Sequence, residues 1–67
     1  MPDRTYKLIE LVGTSAKSYE DAIKSAIDKA RESLSDLAWW EVTELRGGLH
    51  EGALEYQAKL KLAFKVK

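Results

Sequence analysis

The sequence predicts a small α+β domain in which the elements follow one another as strand, helix, strand, strand. Three observations predict it: a β-branched and aromatic run over residues 5–12, an apolar stripe at helical spacing from Tyr19 onward, and a cleanly alternating run from Ala53 to Val66 that follows a glycine-rich turn. Residues 1–67 form one domain on this reading, with no repeat, linker or low-complexity segment.

The first element, "TYKLIELV", carries apolar residues on both faces: Tyr6, Leu8 and Val12 beside Glu10 on one, Ile9 and Leu11 beside Lys7 on the other. A strand that is apolar on both sides expects cover on both. Gly13 ends it, and "GTSAKS" supplies a turn. Ser18 followed by Asp21 resembles a capping box with Asp in place of Glu, which marks a helix start. Apolar residues then fall at 19, 22, 23, 26, 27, 30, 34 and 37, one face of a helix. The opposite face holds Glu20, Lys24, Asp28 and Arg31, a solvated surface in which Glu20 and Lys24 have the spacing of a favourable pair. "SLSDLA" breaks the helix. A second strand follows over residues 38–46, ended by Gly47 and Gly48, and the turn "GGLHEG" leads into the third. In that third strand Tyr56, Ala58, Leu60, Leu62, Phe64 and Val66 alternate with Gln57, Lys59, Lys61 and Lys65. A hairpin connection makes the last two strands antiparallel.

Composition removes several functional classes. Eleven basic and eleven acidic residues leave no net charge, so there is no bulk electrostatic attraction toward nucleic acid or a membrane surface. No apolar run approaches the roughly 18 residues of a membrane span, and the N-terminus lacks a signal-like apolar core, so a cytoplasmic location is expected. With no cysteine and His50 as the single histidine, neither a disulfide framework nor a Cys/His zinc site can be built, and no metal site is expected. His50 lies in a polar turn without a nucleophile or an orienting acid, so no catalytic residue is assigned and an enzyme is not expected. A 67-residue chain has a core worth about 3–5 kcal/mol of net stability. Association is the expected supplement.

Trp39 and Trp40 are adjacent, so on a strand their indoles enter opposite faces. Trp40 shares a face with Val42 and is the expected core residue; Trp39 shares one with Glu41 and Thr43. A turn centred near Leu49 and His50 would set Trp39 opposite Lys59 or Lys61, and Gln57 opposite Glu41 or Thr43. Trp39 and Gln57 would then be neighbours on the face away from the helix, where a flat indole and an amide suit a planar heteroaromatic ligand. Ile9, Leu11, Trp39, Leu45 and Ala63 are expected on that same face as an apolar patch, which marks a homo-oligomer. Trp39 serves equally as a plug in a subunit interface without any ligand. Lys59 and Lys61 are expected on a lysine-protected edge strand.

The segments "YKLIELVGTS", Trp39-Trp40-Glu41-Val42, "LRG" at 45–47 and "EYQAKLKLAFKV" at 55–66, in this order and spacing, resemble the dodecins, small flavin-binding proteins. The resemblance implies a sheet wrapped around the helix and a hollow dodecamer. It also implies flavins, FMN or riboflavin, held in pairs at two-fold axes between tryptophans of symmetry-related subunits. Trp39 matches the stacking tryptophan and Gln57 the glutamine that bonds the pyrimidine edge. Arg46 matches an arginine flanking the flavin. Lys65 stands where many bacterial members carry an arginine near the ribityl phosphate, with Arg4 approaching the same region. The implied role is storage of flavin and suppression of its photochemistry.

Overall fold

The computed structural model describes residues 3–66. Its elements are β1 (Tyr6–Ser15), α1 (Tyr19–Arg31), β2 (Leu37–His50) and β3 (Ala53–Lys65), the expected order. The three strands form one antiparallel sheet in the order β1-β3-β2. The last strand in sequence is therefore the central one. Lys59 and Lys61 do not guard an edge: Lys61 stands between Glu10 of β1 and Glu41 of β2, and Lys59 stands opposite Glu44. On a central strand such opposite-charge neighbours favour the register.

Helix α1 begins where the capping signal places it. The Ser18 hydroxyl accepts from the Asp21 amide at 3.0 Å, satisfying one of the orphan donors of the first turn. The Asp21 carboxylate does not reach back to the cap. It accepts instead from the buried Ser15 hydroxyl at 2.7 Å, and that hydroxyl accepts from the Lys17 amide. The end of β1 is thereby tied to the start of α1. Lys24 pairs with Asp28 at 2.7 Å rather than with Glu20.

The helix lies on β1 and β3 through small residues. Ala22, Ala26, Ala58 and Leu60 form the core, with Leu11, Ile23 and Ile27 against it. Gly13 does not end β1; it is buried within the strand, where a Cβ would meet the Ala22 carbonyl and the Ala26 methyl. This close approach decides which face of β1 is covered. Ile9 and Leu11 pair with Leu62 and Leu60 and so point to the helix, not away from it, and Leu45, opposite Ala58, also lies on the helix side. Tyr6, Leu8 and Val12 take the outer face, opposite Lys65, Ala63 and Lys59.

Strand β2 runs through Gly47 and Gly48 instead of stopping there. The turn is Glu51-Gly52, with φ of 51° and 82°, the left-handed pair that a two-residue hairpin requires. The chain is 53 Å along its longest axis, whereas a 13-residue helix covers only about 20 Å. The hairpin and most of β2 thus extend past the helix, leaving Trp40, Val42, Leu45, Leu49 and Leu54 exposed in the single chain. Exposed apolar surface of this extent marks association.

Candidate functional site

Two register shifts in β2, at Ala38 and at Thr43, set the directions of its side chains. Leu37 faces Phe64 on the helix side, yet Trp39, two residues on, faces Ala63 on the outer side, because Ala38 is the extra residue of a bulge. Trp40, opposite Leu62, returns to the helix side. The two indoles are divided between the faces as alternation requires. Trp40 is not a core residue in the single chain, however; it is 52% exposed, since α1 sits over β1 and β3 and stops short of β2.

The outer face carries two clusters. At one end Trp39 is 46% exposed, with Tyr6 packed edge-to-face on it at a centroid separation of 4.7 Å. That arrangement favours one indole orientation. Ala63, flanked in register by Leu8 and Trp39, is fully buried beneath them. Lys65, opposite Tyr6, stands at this end, and Arg4 precedes Tyr6 by two residues.

At the other end Gln57, partly buried, lies opposite Arg46 on β2 and Thr14 on β1. Arg46 Nε donates to Gln57 Oε1 at 2.6 Å, and Gln57 Nε2 donates to Glu55 Oε1 at 2.9 Å. Arg46 also approaches Glu44 at 3.9 Å. The guanidinium is thus engaged by the sheet itself.

Trp39 and Gln57 share a face, as expected, but they are not neighbours. Their register partners, Ala63 and Arg46, show that six residues of β3 separate the two levels, which at ~3.3 Å per residue is about 20 Å. The expected proximity rested on a turn at Leu49 and His50; the turn at Glu51-Gly52 moves every pairing along the hairpin. The register sets Lys65 at the Trp39 end of the outer face, two residues along β3 from the partner of Trp39, and joins Gln57 to Arg46. A fused tricyclic ring cannot span the two levels within one chain.

Concave space lies on the helix side. A hollow of about 590 Å³ opens between α1 and β2, lined by Ile23, Ile27, Arg31 and Trp40 among others. Part of its charged rim is paired internally: Asp28 accepts from Lys24 and faces Arg31 at 3.7 Å. That hydrogen bond holds the Lys24 ammonium above its ordinary pKa and the Asp28 carboxyl below its own. The polar groups that line this hollow with Trp40 come from α1 and the turn before it, whereas the Gln57 cluster joins β2 and β3 through hydrogen bonds. The outer face is therefore the better candidate for ligand recognition. The sequence pattern gives Glu55 and Tyr6, which hold Gln57 and Trp39, no site role: Glu55 opens the 55–66 segment and Tyr6 shares a face of β1 with Leu8 and Val12.

The dodecin family profile matches residues 5–67. Among known proteins, the Dodecin of Thermus thermophilus is 45% identical over 65 residues, covering 96% of this chain and 94% of that one. The Calcium dodecin of Mycobacterium tuberculosis is 35% identical over 63 residues, covering 92% and 89%. A crystal structure from Thermus thermophilus superposes with a TM-score of 0.88 at 44% identity, covering 97% of both chains. Dodecin from Streptomyces coelicolor does so with a TM-score of 0.89 at 37% identity, covering 100% of this chain and 97% of that one.

Proposed function

The chain belongs to the dodecin family, and from that premise we propose that it is a non-enzymatic flavin-binding protein that stores FMN or riboflavin in a homo-oligomer, the hollow dodecamer its resemblance implies. The flavin ring stacks on Trp39 of one copy and bonds through its pyrimidine edge to Gln57 of another. One observation carries this reading: an indole steadied by Tyr6 and an amide held between Arg46 and Glu55 stand on the same face, roughly 20 Å apart by strand rise, so neither can complete a site without a second chain. Across a two-fold axis the same surface meets itself, and one copy's Trp39 level can face its partner's Gln57 level.

The chemistry follows from the two groups. An electron-rich indole against an isoalloxazine offers a route for rapid decay of the excited flavin, which suppresses its photochemistry. The carboxamide supplies one donor and one acceptor toward a ring edge of matching pattern. Lys65 and Arg4, at the Trp39 end, are the cations closest to a phosphate tail laid along that side; because an ammonium is a point charge rather than a fork, it favours phosphate without fixing its orientation. Rings sandwiched between indoles leave no approach for a second substrate, so turnover is not part of the function. The Mycobacterium relative is named for calcium; among the described residues no three His, Cys, Asp or Glu side chains gather as a cation site, and calcium is no part of this proposal.

Titration of the flavin-free protein with FMN and with riboflavin, followed by flavin emission, tests the reading. Stoichiometric quenching near one flavin per chain supports it, and a tighter FMN complex assigns the basic residues to the phosphate. No quenching with either ligand would leave Trp39 as an interface plug in an oligomer without flavin.

A further inference from the structure

A carboxamide has two ends of nearly equal shape and opposite hydrogen-bonding sense. A half-turn about its last bond exchanges donor for acceptor and inverts the pattern shown to a ligand. A recognition glutamine left free therefore presents a mixture of two patterns. Gln57 is not left free. Its Oε1 is 2.6 Å from Arg46 Nε, a group that can only donate, and its Nε2 is 2.9 Å from a carboxylate oxygen of Glu55, a group that accepts when ionised. Turned over, the amide would set NH₂ against guanidinium and carbonyl against carboxylate.

A third feature directs the group. A Cβ at Gly48 would lie 2.6 Å from Gln57 Nε2 and 3.2 Å from its Cδ, so the amide occupies the space that a side chain at that position would fill. At Gly47, one residue earlier, a Cβ would meet nothing within 4 Å. Neither glycine has positive φ. The need at Gly48 is for room, not for backbone freedom.

We infer that Arg46, Glu55 and Gly48 are positioning residues that lock the Gln57 carboxamide in one orientation and so make the site specific for a ring edge presenting an imide N–H beside a carbonyl. After its two internal bonds, Oε1 keeps one lone pair and Nε2 one N–H, in a fixed order. An unsubstituted imide satisfies both; a ring methylated at that nitrogen satisfies only one. The inference rests on the flavin reading for the identity of the ring, but the lock itself exists without ligand.

Two measurements separate these claims. Side-chain amide NMR of the ligand-free, isotope-labelled oligomer should show Gln57 motionally restricted in the wild type and released toward unrestrained values in Glu55→Ala. Glu55→Gln, whose carbonyl can still accept, should restore the restriction. Equal mobility of Gln57 in the wild type and Glu55→Ala would overturn the lock, whether or not flavin binds. In titrations, Glu55→Ala should weaken FMN by about tenfold while Glu55→Gln stays within about threefold, the scale of one lost hydrogen bond to a charged group. Gly48→Ala should also weaken FMN, with Gly47→Ala unchanged. The wild type should prefer FMN to its N3-methyl analogue, and Glu55→Ala should narrow that preference; an undiminished preference in Glu55→Ala would refute the specificity role. A restricted Gln57 in a wild type that binds neither flavin would overturn the flavin reading and leave the lock standing.

Discussion

Replacing Trp39 by Ala removes the surface on which the proposed flavin ring would stack, and the structure sets the scale of the loss. The residue is 46% exposed; as a large aromatic buries about 150–250 Å², roughly 100 Å² of it faces outward for a ligand. Stacking hides a similar area on each partner, ~200 Å² in all, worth about 5 kcal/mol before ordering is counted. Measured truncations of stacking aromatics return ~1–3 kcal/mol, so Trp39→Ala should bind FMN about 5- to 150-fold more weakly, with brighter residual complex. Loss of the Tyr6 contact should lower stability by about 0.5–1.5 kcal/mol as well. Trp40→Ala is the control, because it points to the helix side. It should keep FMN affinity within a few-fold while forfeiting up to about 3 kcal/mol of packing from its buried half. The assay is flavin emission during titration, with oligomer size and thermal unfolding checked in parallel. Intact oligomers in which Trp40→Ala abolishes binding and Trp39→Ala preserves it would refute the face assignment.

Leu60→Ala, in a fully buried site under α1, should destabilise the fold by about 2–5 kcal/mol in denaturant titrations and leave flavin per folded oligomer unchanged. Lys65→Ala should weaken FMN more than riboflavin, and the wild-type preference for FMN over riboflavin should shrink at high salt as the Debye length shortens. The Lys24–Asp28 pair contributes within a pH window. Asp28, depressed by the Lys24 hydrogen bond, stabilises above its unfolded pKa and loses that contribution as pH falls through its folded value. Lys24, raised by Asp28, stabilises below its unfolded pKa and loses that contribution as pH rises through its folded value. Asp28→Asn should flatten both limbs of the stability-pH curve, a small change because both groups are exposed.

The order of elements, the Ser18 cap, the helix stripe and the division of Trp39 from Trp40 are all legible in the sequence, because each depends on local spacing. Sheet order is not local. Nothing in the alternation of β3 says that β1 will come to lie beside it, so Lys59 and Lys61 read as edge lysines when they are central ones flanked by glutamates. Strand β1 is apolar on both sides, and which side meets the helix is settled by Gly13 against Ala22 and Ala26. Periodicity alone cannot supply that contact. Two consecutive glycines suggest a turn at 47–48, whereas between β2 and β3 positive φ occurs at Glu51 and Gly52. That shift carried Gln57 from the level of Trp39 to the level of Arg46. Trp39 and Gln57 thus lie on the face expected of them but at a different separation, and that separation is why the proposed site draws on a second chain.

The central claim is that each flavin is held by Trp39 of one copy and Gln57 of another, and complementation tests it directly. Trp39→Ala and Gln57→Ala chains are prepared separately, then mixed, co-assembled and titrated with FMN. Each pure oligomer should bind poorly. In a random mixture half of the two-fold pairs are mixed and each of those rebuilds one of its two sites, so about a quarter of the wild-type capacity should return, at an affinity well above that of either pure variant. No recovery from a well-mixed oligomer of normal size would contradict a site shared between copies.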